Sequence, residues 1–368
     1  MEFRPFNLWE INMSITRRTI LKSAAAVSVG AAFVGKASAQ SRDMHIGMYN
    51  SALGKWIQKE ILPRFEKENN CKVHTVEGAT LANIAALRAT RSTPKFSMMA
   101  MDDVGIPQAK DEELIEKLDP AKIPNLAKLM KRYLFEDGYG AGFSISSASM
   151  FAQPKIAEGV KSYADLFDPK FAKSILLNTP KNTQSVLMLI AVASVATGKP
   201  FKEAQYLIDD PRTWEKLKAL KPNILTIYDG EALTLQVAQE GGPKVGGIEY
   251  SKSIYPHAVK GLPLTMLDMK EGTFTGINCV TLVKNAPEPE LGNALINRIL
   301  DPAVQKEMAE FSLSAPSVSG LSFKPEVEKY LAYPEDKVDK MGLFTPDWRY
   351  IIPKRPAWLE KYNQMLTS

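Results

Sequence analysis

Phe96-Ser97-Met98-Met99-Ala100-Met101-Asp102-Asp103 is the stretch whose reading decides the fold. Its apolar run reads as a buried strand that ends on two adjacent acids. Pro107 then opens a segment that predicts a helix to Leu118. Upstream, Met44 to Tyr49 reads as a short strand. Trp56 to Asn69 is amphipathic, with Trp56, Ile57, Ile61, Leu62 and Phe65 at helical spacing between charges. Cys71 to Val76 alternates as a strand, and Leu81 to Thr90 is helical. Strands alternating with helices predict an α/β unit around a largely parallel sheet.

The pattern continues downstream. Ala141 to Phe151 is a Ser-rich, strand-like stretch that could cross to a second lobe. Lys161 to Phe167 reads as a short helix and Ser174 to Leu177 as a strand. The polar segment Asn178 to Ser185 leads into a strongly apolar helix, Val186 to Thr197. Helices over Thr213–Leu220 and Gly230–Gln239 alternate with strands over Ile224–Tyr228 and Val245–Tyr250. Phe274 to Val283 reads as a strand returning to the first lobe. Helices over Pro289–Leu300 and Pro302–Phe311 follow, and Pro316 to Pro356 is Pro-rich and expected to be irregular.

The N-terminus has the layout of an export signal. Thr16-Arg17-Arg18-Thr19-Ile20-Leu21-Lys22 precedes a weakly hydrophobic run from Ala24 to Gly35, and Ala37-Ser38-Ala39 closes it. The paired arginines resemble a twin-arginine signal. The apolar run is shorter than the roughly 20 residues that span a bilayer. Residues 1–12 read as an upstream extension before Met13. Residues 1–39 are therefore set apart, and the exported chain is expected to begin near Gln40, with the signal removed near Ala39. Residues 1–39 hold five basic and two acidic residues, so the overall charge of +5 falls to about +2 for the rest. That balance supports no nucleic-acid patch. The length favours two lobes over one core. Cys71 and Cys279 are far apart in sequence, and spacing alone leaves a disulfide and two buried thiols equally open.

Five stretches in fixed order resemble one family. They are Met48-Tyr49-Asn50-Ser51; Asp119 after Glu113 to Leu118; Ser162 to Pro169; Glu271-Gly272; and Leu295 to Pro302 with Val304-Gln305. Together they resemble the type II periplasmic solute-binding proteins of ABC transporters, nearest the spermidine/putrescine-binding branch, over most of residues 44–320. The resemblance implies two lobes, each a mostly parallel sheet flanked by helices, with the ligand cleft between them. It implies lobe 1 over 40–144 and 275–312, and lobe 2 over 145–274 and 313–368. It further implies a monomer in the periplasm that closes on a small molecule and docks on an ABC permease in the inner membrane.

Such folds bind ligand at loops beyond the strand ends. The candidate ligand residues there are Tyr49, Asn50 and Ser51; Asp102 and Asp103; Asn182, Thr183, Gln184 and Ser185; and Tyr250 and Asn278. Orphan N–H groups at the start of the apolar helix favour an anion, with Lys181 adding charge. Simple capping by Thr183 or Ser185 is the bland alternative. Capping of the turn before Pro107 is the bland alternative for Asp102 and Asp103. Polyamine binders of this family carry acids at the second-lobe helix start and on the return strand. Here those positions hold no acid between Asn178 and Ser185, and an amide at Asn278. A zwitterion fits better, with its amine at Asp102 or Asp103 and its acid group at the Thr183–Ser185 amides.

Ferric iron or an organic anion are alternatives for this fold. Tyr250 and Tyr255 are not adjacent, however, and His45, His74 and His257 form no metal-type cluster. A cleft enzyme is the remaining alternative. Cys279 neighbours Asn278 on a strand and therefore faces the core if Asn278 lines the cleft, and no hydrolase or nucleotide-binding motif occurs. The expectation is a binding protein without catalytic residues, metal or cofactor.

Overall fold

The computed structural model describes residues 42–228 and 235–367. The export segment expected over 1–39 and the first half of the helix expected over Gly230–Gln239 lie outside the described residues. Eight main strands form one sheet: β1 (Arg42–Met48), β2 (Cys71–Glu77), β3 (Phe96–Asp102), β4 (Gly140–Ala152), β5 (Ile175–Asn178), β6 (Ile224–Tyr228), β7 (Val245–Tyr250) and β8 (Thr273–Val283). Their order is β2-β1-β3-β8-β4-β7-β5-β6. The two ends are parallel: β1 pairs with β2 and β3, and β5 pairs with β6 and β7. The middle is antiparallel: β8 pairs with β3 and β4, and β4 with β7.

β4 and β8 therefore carry the chain between two halves. β4 is buried along its whole length, so it reads as a continuous run rather than an alternation. Its small residues permit close approach on both faces. A Cβ on Gly142 would meet Ile277 and Tyr133. Two of its hydroxyls find partners inside, Ser144 with Ser314 at 2.7 Å and Ser149 with the Leu267 carbonyl at 2.8 Å, while the Ser146 hydroxyl is buried without one among the described residues.

Each half has its own core. Met44, Ile46, Met98, Ile145, Ile277 and Leu295 belong to the first, and Ala148, Ile175, Val245, Phe274 and Trp214 to the second. Four helices bear on the site: α1 (Thr80–Ala89), α2 (Gln184–Thr197), α3 (Ser251–Val259) and α4 (Arg355–Thr367). α2 is buried on every side from Ser185 to Ser194, as a helix apolar all round must be. Cys71 and Cys279 are both free and buried.

Two expected elements differ. The helix from Pro107 ends early, over Ile106–Asp111. Glu113 adopts φ +53°, and Ile115–Glu116 then pairs with β8. Edge pairing in the sheet outweighs local helix preference there. The Pro-rich tail is mostly irregular, as expected, but it also holds short helices at Pro325–Glu328, Glu335–Lys340 and Trp348–Ile351 before α4. Prolines at or near helix starts lack only an N–H that the helix would leave unbonded.

The tail also departs from its expected place wholly in the second lobe. Ala315, Leu331, Tyr333 and Val338 pack in the first core, and Trp348, Ile351, Trp358 and Tyr362 in the second. It is a strap across both halves. Asp347 accepts from Tyr206 at 2.9 Å, and its N–H donates to Gln205 at 2.7 Å. The next residues reach the other half: Trp348 Nε1 donates to Asp103 at 2.9 Å, and Arg349 grips Asp111 and Glu136.

Two measurements check this packing. Phe274, fully buried on β8, stacks on Phe201 at 4.3 Å between centroids. Phe274→Ala is expected to lower unfolding free energy by about 3–5 kcal/mol in denaturant titration; a loss under about 1 kcal/mol contradicts the packing. Burial raises the Asp103 carboxyl to about 7. The folded chain thus holds a proton that the unfolded chain has released, and this contribution falls as pH rises from about 4 through 7. Asp103→Asn keeps an acceptor for Trp348 and removes the titration. The variant should gain stability relative to the parent by a few kcal/mol, to order of magnitude, between about pH 5 and pH 8. Parallel pH profiles would contradict the assignment.

Candidate functional site

The register of β3 and β8 places Asp102 directly opposite Asn278. Asp102 Oδ1 accepts from Asn278 Nδ2 at 2.8 Å, and Oδ2 accepts from Thr80 Oγ1 at 2.9 Å. The Thr80 hydroxyl in turn accepts from the Asp102 N–H at 2.9 Å, which ties the first turn of α1 to the strand end. The other end of the Asn278 amide accepts from Lys252 Nζ on α3. That ammonium stands 5.4 Å from the centroid of the Tyr250 ring. Burial lowers the Lys252 pKa, and Asp102 opposes the shift.

Tyr250, at the end of β7, packs closely against Gly276. A Cβ there would sit 2.1 Å from the ring, so only glycine permits the contact. The enclosed Tyr49 hydroxyl faces Asp102 and Asn278; burial first and the Asp102 charge second raise its pKa. Tyr49, Asp102, Tyr250 and Asn278 are thus brought together.

The other first-lobe candidates are placed differently. Asn50 is exposed. Ser51 caps the helix Ala52–Trp56, accepting from the Gly54 N–H at 3.1 Å. Asp103 begins the turn after β3 and is buried beneath Trp348, whereas Asp102 at the strand end bonds Asn278.

On the second lobe, Asn182 and Gln184 are half-buried at the start of α2. Ser185 is fully buried, its hydroxyl donating to the Asn182 carbonyl at 2.7 Å. Thr183 is the N-cap residue but makes no side-chain capping bond. Thr183 instead lines a cavity of about 310 Å³, with Thr80 and Gly105 from the first lobe, Pro180 and Lys181 from the second, and Arg355 from α4. That volume suits a small organic molecule.

Glu249, Lys252, Thr80 and Arg355 are parts of this region that the sequence reading missed. Glu249 accepts from Tyr228 Oη at 2.9 Å and lies near Asn178. Its position beside Tyr250 at a strand end was the one available signal. Burial raises the Tyr250 pKa; Asp102, Asp103 and Glu249 raise it further, and Arg355 opposes them. One side of the region thus gathers acids and aromatic rings, which suit an ammonium group. The other side gathers a helix start, Lys181 and Arg355, which suit an oxyanion. No group of three or more His, Cys, Asp or Glu able to hold a metal occurs among the described residues. No helix among them is long and apolar enough to cross a membrane.

Known proteins place this architecture. The chain is 24% identical over 358 residues to the spermidine/putrescine-binding periplasmic protein of Salmonella typhimurium, covering 93% of this chain and 97% of that one. Its fold matches an ABC transporter substrate-binding protein from Bradyrhizobium japonicum with a TM-score of 0.73 at 18% identity, over 89% of this chain and 100% of the other. A binding protein from A. tumefaciens B6, solved in complex with glucopine, matches with a TM-score of 0.72 at 18% identity, over 88% and 99%. The family model of bacterial extracellular solute-binding proteins matches residues 60–335, and the chain belongs to that family.

Proposed function

We propose that this chain is the periplasmic receptor of an ABC importer, and that its solute is a small organic zwitterion. The solute's amine lies toward Asp102 and the Tyr49 and Tyr250 rings. Its acid group lies toward Thr183, Gln184 and Ser185 at the start of α2. Arg17-Arg18 and Ala37-Ser38-Ala39 direct export through the twin-arginine route, with removal near Ala39. The exported monomer closes about β4 and β8, and the closed form docks on a permease in the inner membrane. No turnover is part of this reading.

The asymmetry of charge across the region carries the ligand assignment. A polyamine needs carboxylates for both of its ends. Here the start of α2 has no acid in its first turn, and Lys252 already supplies a cation over Tyr250. The polyamine relatives make putrescine and spermidine the competing ligands.

A thermal-shift screen of the protein purified from the periplasm separates the two. The panel holds amino acids, aminophosphonates, polyamines, plain carboxylates and ferric salts. A zwitterion at a hundredfold excess over its Kd should stabilise the fold by about 2.7 kcal/mol. Asp102→Asn should weaken that ligand by about tenfold or more, since a charge-assisted bond becomes neutral. A response to polyamines alone, or an unchanged affinity in Asp102→Asn, would contradict the assignment. Product formed from any ligand that binds would make the chain an enzyme instead.

A further inference from the structure

We propose that Arg355 and the first turn of α2 form an oxyanion-binding subsite, which takes a carboxylate, phosphonate or phosphate group of the solute. The subsite rests on the solute-binding reading above and gives the ligand's acid end a specific receptor.

Arginine pairing across the molecule motivates the assignment. Arg42, Arg64, Arg88, Arg91, Arg132, Arg212, Arg298 and Arg349 each pair with a carboxylate, although most are well exposed. Arg355 is only 9% exposed and has no carboxylate partner among the described residues. Its Nη2 donates to the Lys181 carbonyl at 3.2 Å, and its enclosed Nε has no acceptor. A guanidinium carries five donors in a fixed fork and stays charged, so burying it without an anion is unfavourable. Burial accordingly lowers its pKa.

The surroundings show where an anion would lie. Arg355 opens α4 and lines the 310 Å³ cavity that Thr183 and Lys181 also line. α2 runs for 14 residues; its N-cap residue Thr183 makes no side-chain capping bond, and its own first turn holds no acid. Its first N–H groups lack intrahelical acceptors by geometry. A planar fork and a helix start facing one cavity are complementary to one oxyanion. A purely structural Arg355 would make a single bond to Lys181, a role that needs no charge.

The test compares the parent protein with Arg355→Gln by calorimetric titration. The probes are γ-aminobutyrate, 2-aminoethylphosphonate and inorganic phosphate, with putrescine as the amine that lacks an oxyanion. The parent should bind at least one oxyanion probe, and the relative strength of the three tells carboxylate from phosphonate from free phosphate. Arg355→Gln should weaken that probe by about a hundredfold, Arg355→Lys should recover part of the loss, and the putrescine response should not change. If Arg355→Gln does not fold, Lys181→Glu on the exposed rim should weaken the same probe by about tenfold, and an unchanged affinity there overturns the subsite. Full affinity in Arg355→Gln also overturns it and leaves the zwitterion reading standing, whereas a parent that answers to putrescine and to no oxyanion overturns the subsite together with the zwitterion assignment and leaves only solute binding standing. A parent that binds no probe, amines included, refutes the proposed solute class and the subsite with it.

Discussion

The pairing of β4 with β8 is the constraint on which the rest depends. The strands run antiparallel through the centre of a sheet whose two ends are parallel. Every other element of the site is referred to them. β8 sets Asn278 against Asp102 on one side and leaves Gly276 open for Tyr250 on the other. β4 passes through the middle fully buried, its large apolar side chains Phe143, Ile145, Met150 and Phe151 in the cores and the Ser144 and Ser149 hydroxyls bonded inside. A charged residue there would be buried without a partner. These strands are also the main connection between the halves, so a closing motion must bend them or turn about their ends.

The strap formed by the C-terminal residues is the second connection. Asp347 and Trp358 are held by Gln205, Tyr206 and Asp209 of the second half, while Trp348 and Arg349 reach Asp103, Asp111 and Glu136 of the first. The arrangement is mixed in strength. The Asp103–Trp348 bond is buried, whereas the Arg349 pairs are substantially exposed and weakened by salt. Arg355 follows the strap directly, so its position in the cavity is set by the contacts that span the two halves.

Much of the fold was legible in the sequence because it is written in local periods. The alternation of strands and helices, the strand ending at Asp102, the long return strand carrying Asn278 and the strongly apolar α2 each follow from spacing within a dozen residues. The parts that were not legible depend on distant partners. The helix after Pro107 stops early because Ile115 pairs with Val283 on β8. Lys252 matters only because α3 brings it to Asn278, a strand away. Asp103 resembles Asp102 in sequence, and only Trp348, 245 residues on, separates their roles. Arg355 lay in a tail whose prolines masked short helices, and no local pattern distinguishes it from a surface arginine.

The central claim is that the solute carries opposite charges at its two ends. It is tested most directly by releasing and identifying, by mass spectrometry, the small molecule that accompanies the protein when it is purified natively from the periplasm. The account predicts a compound with at least one basic amine and one carboxylate, phosphonate or phosphate group. Recovery of a polyamine with ammonium groups alone would contradict it.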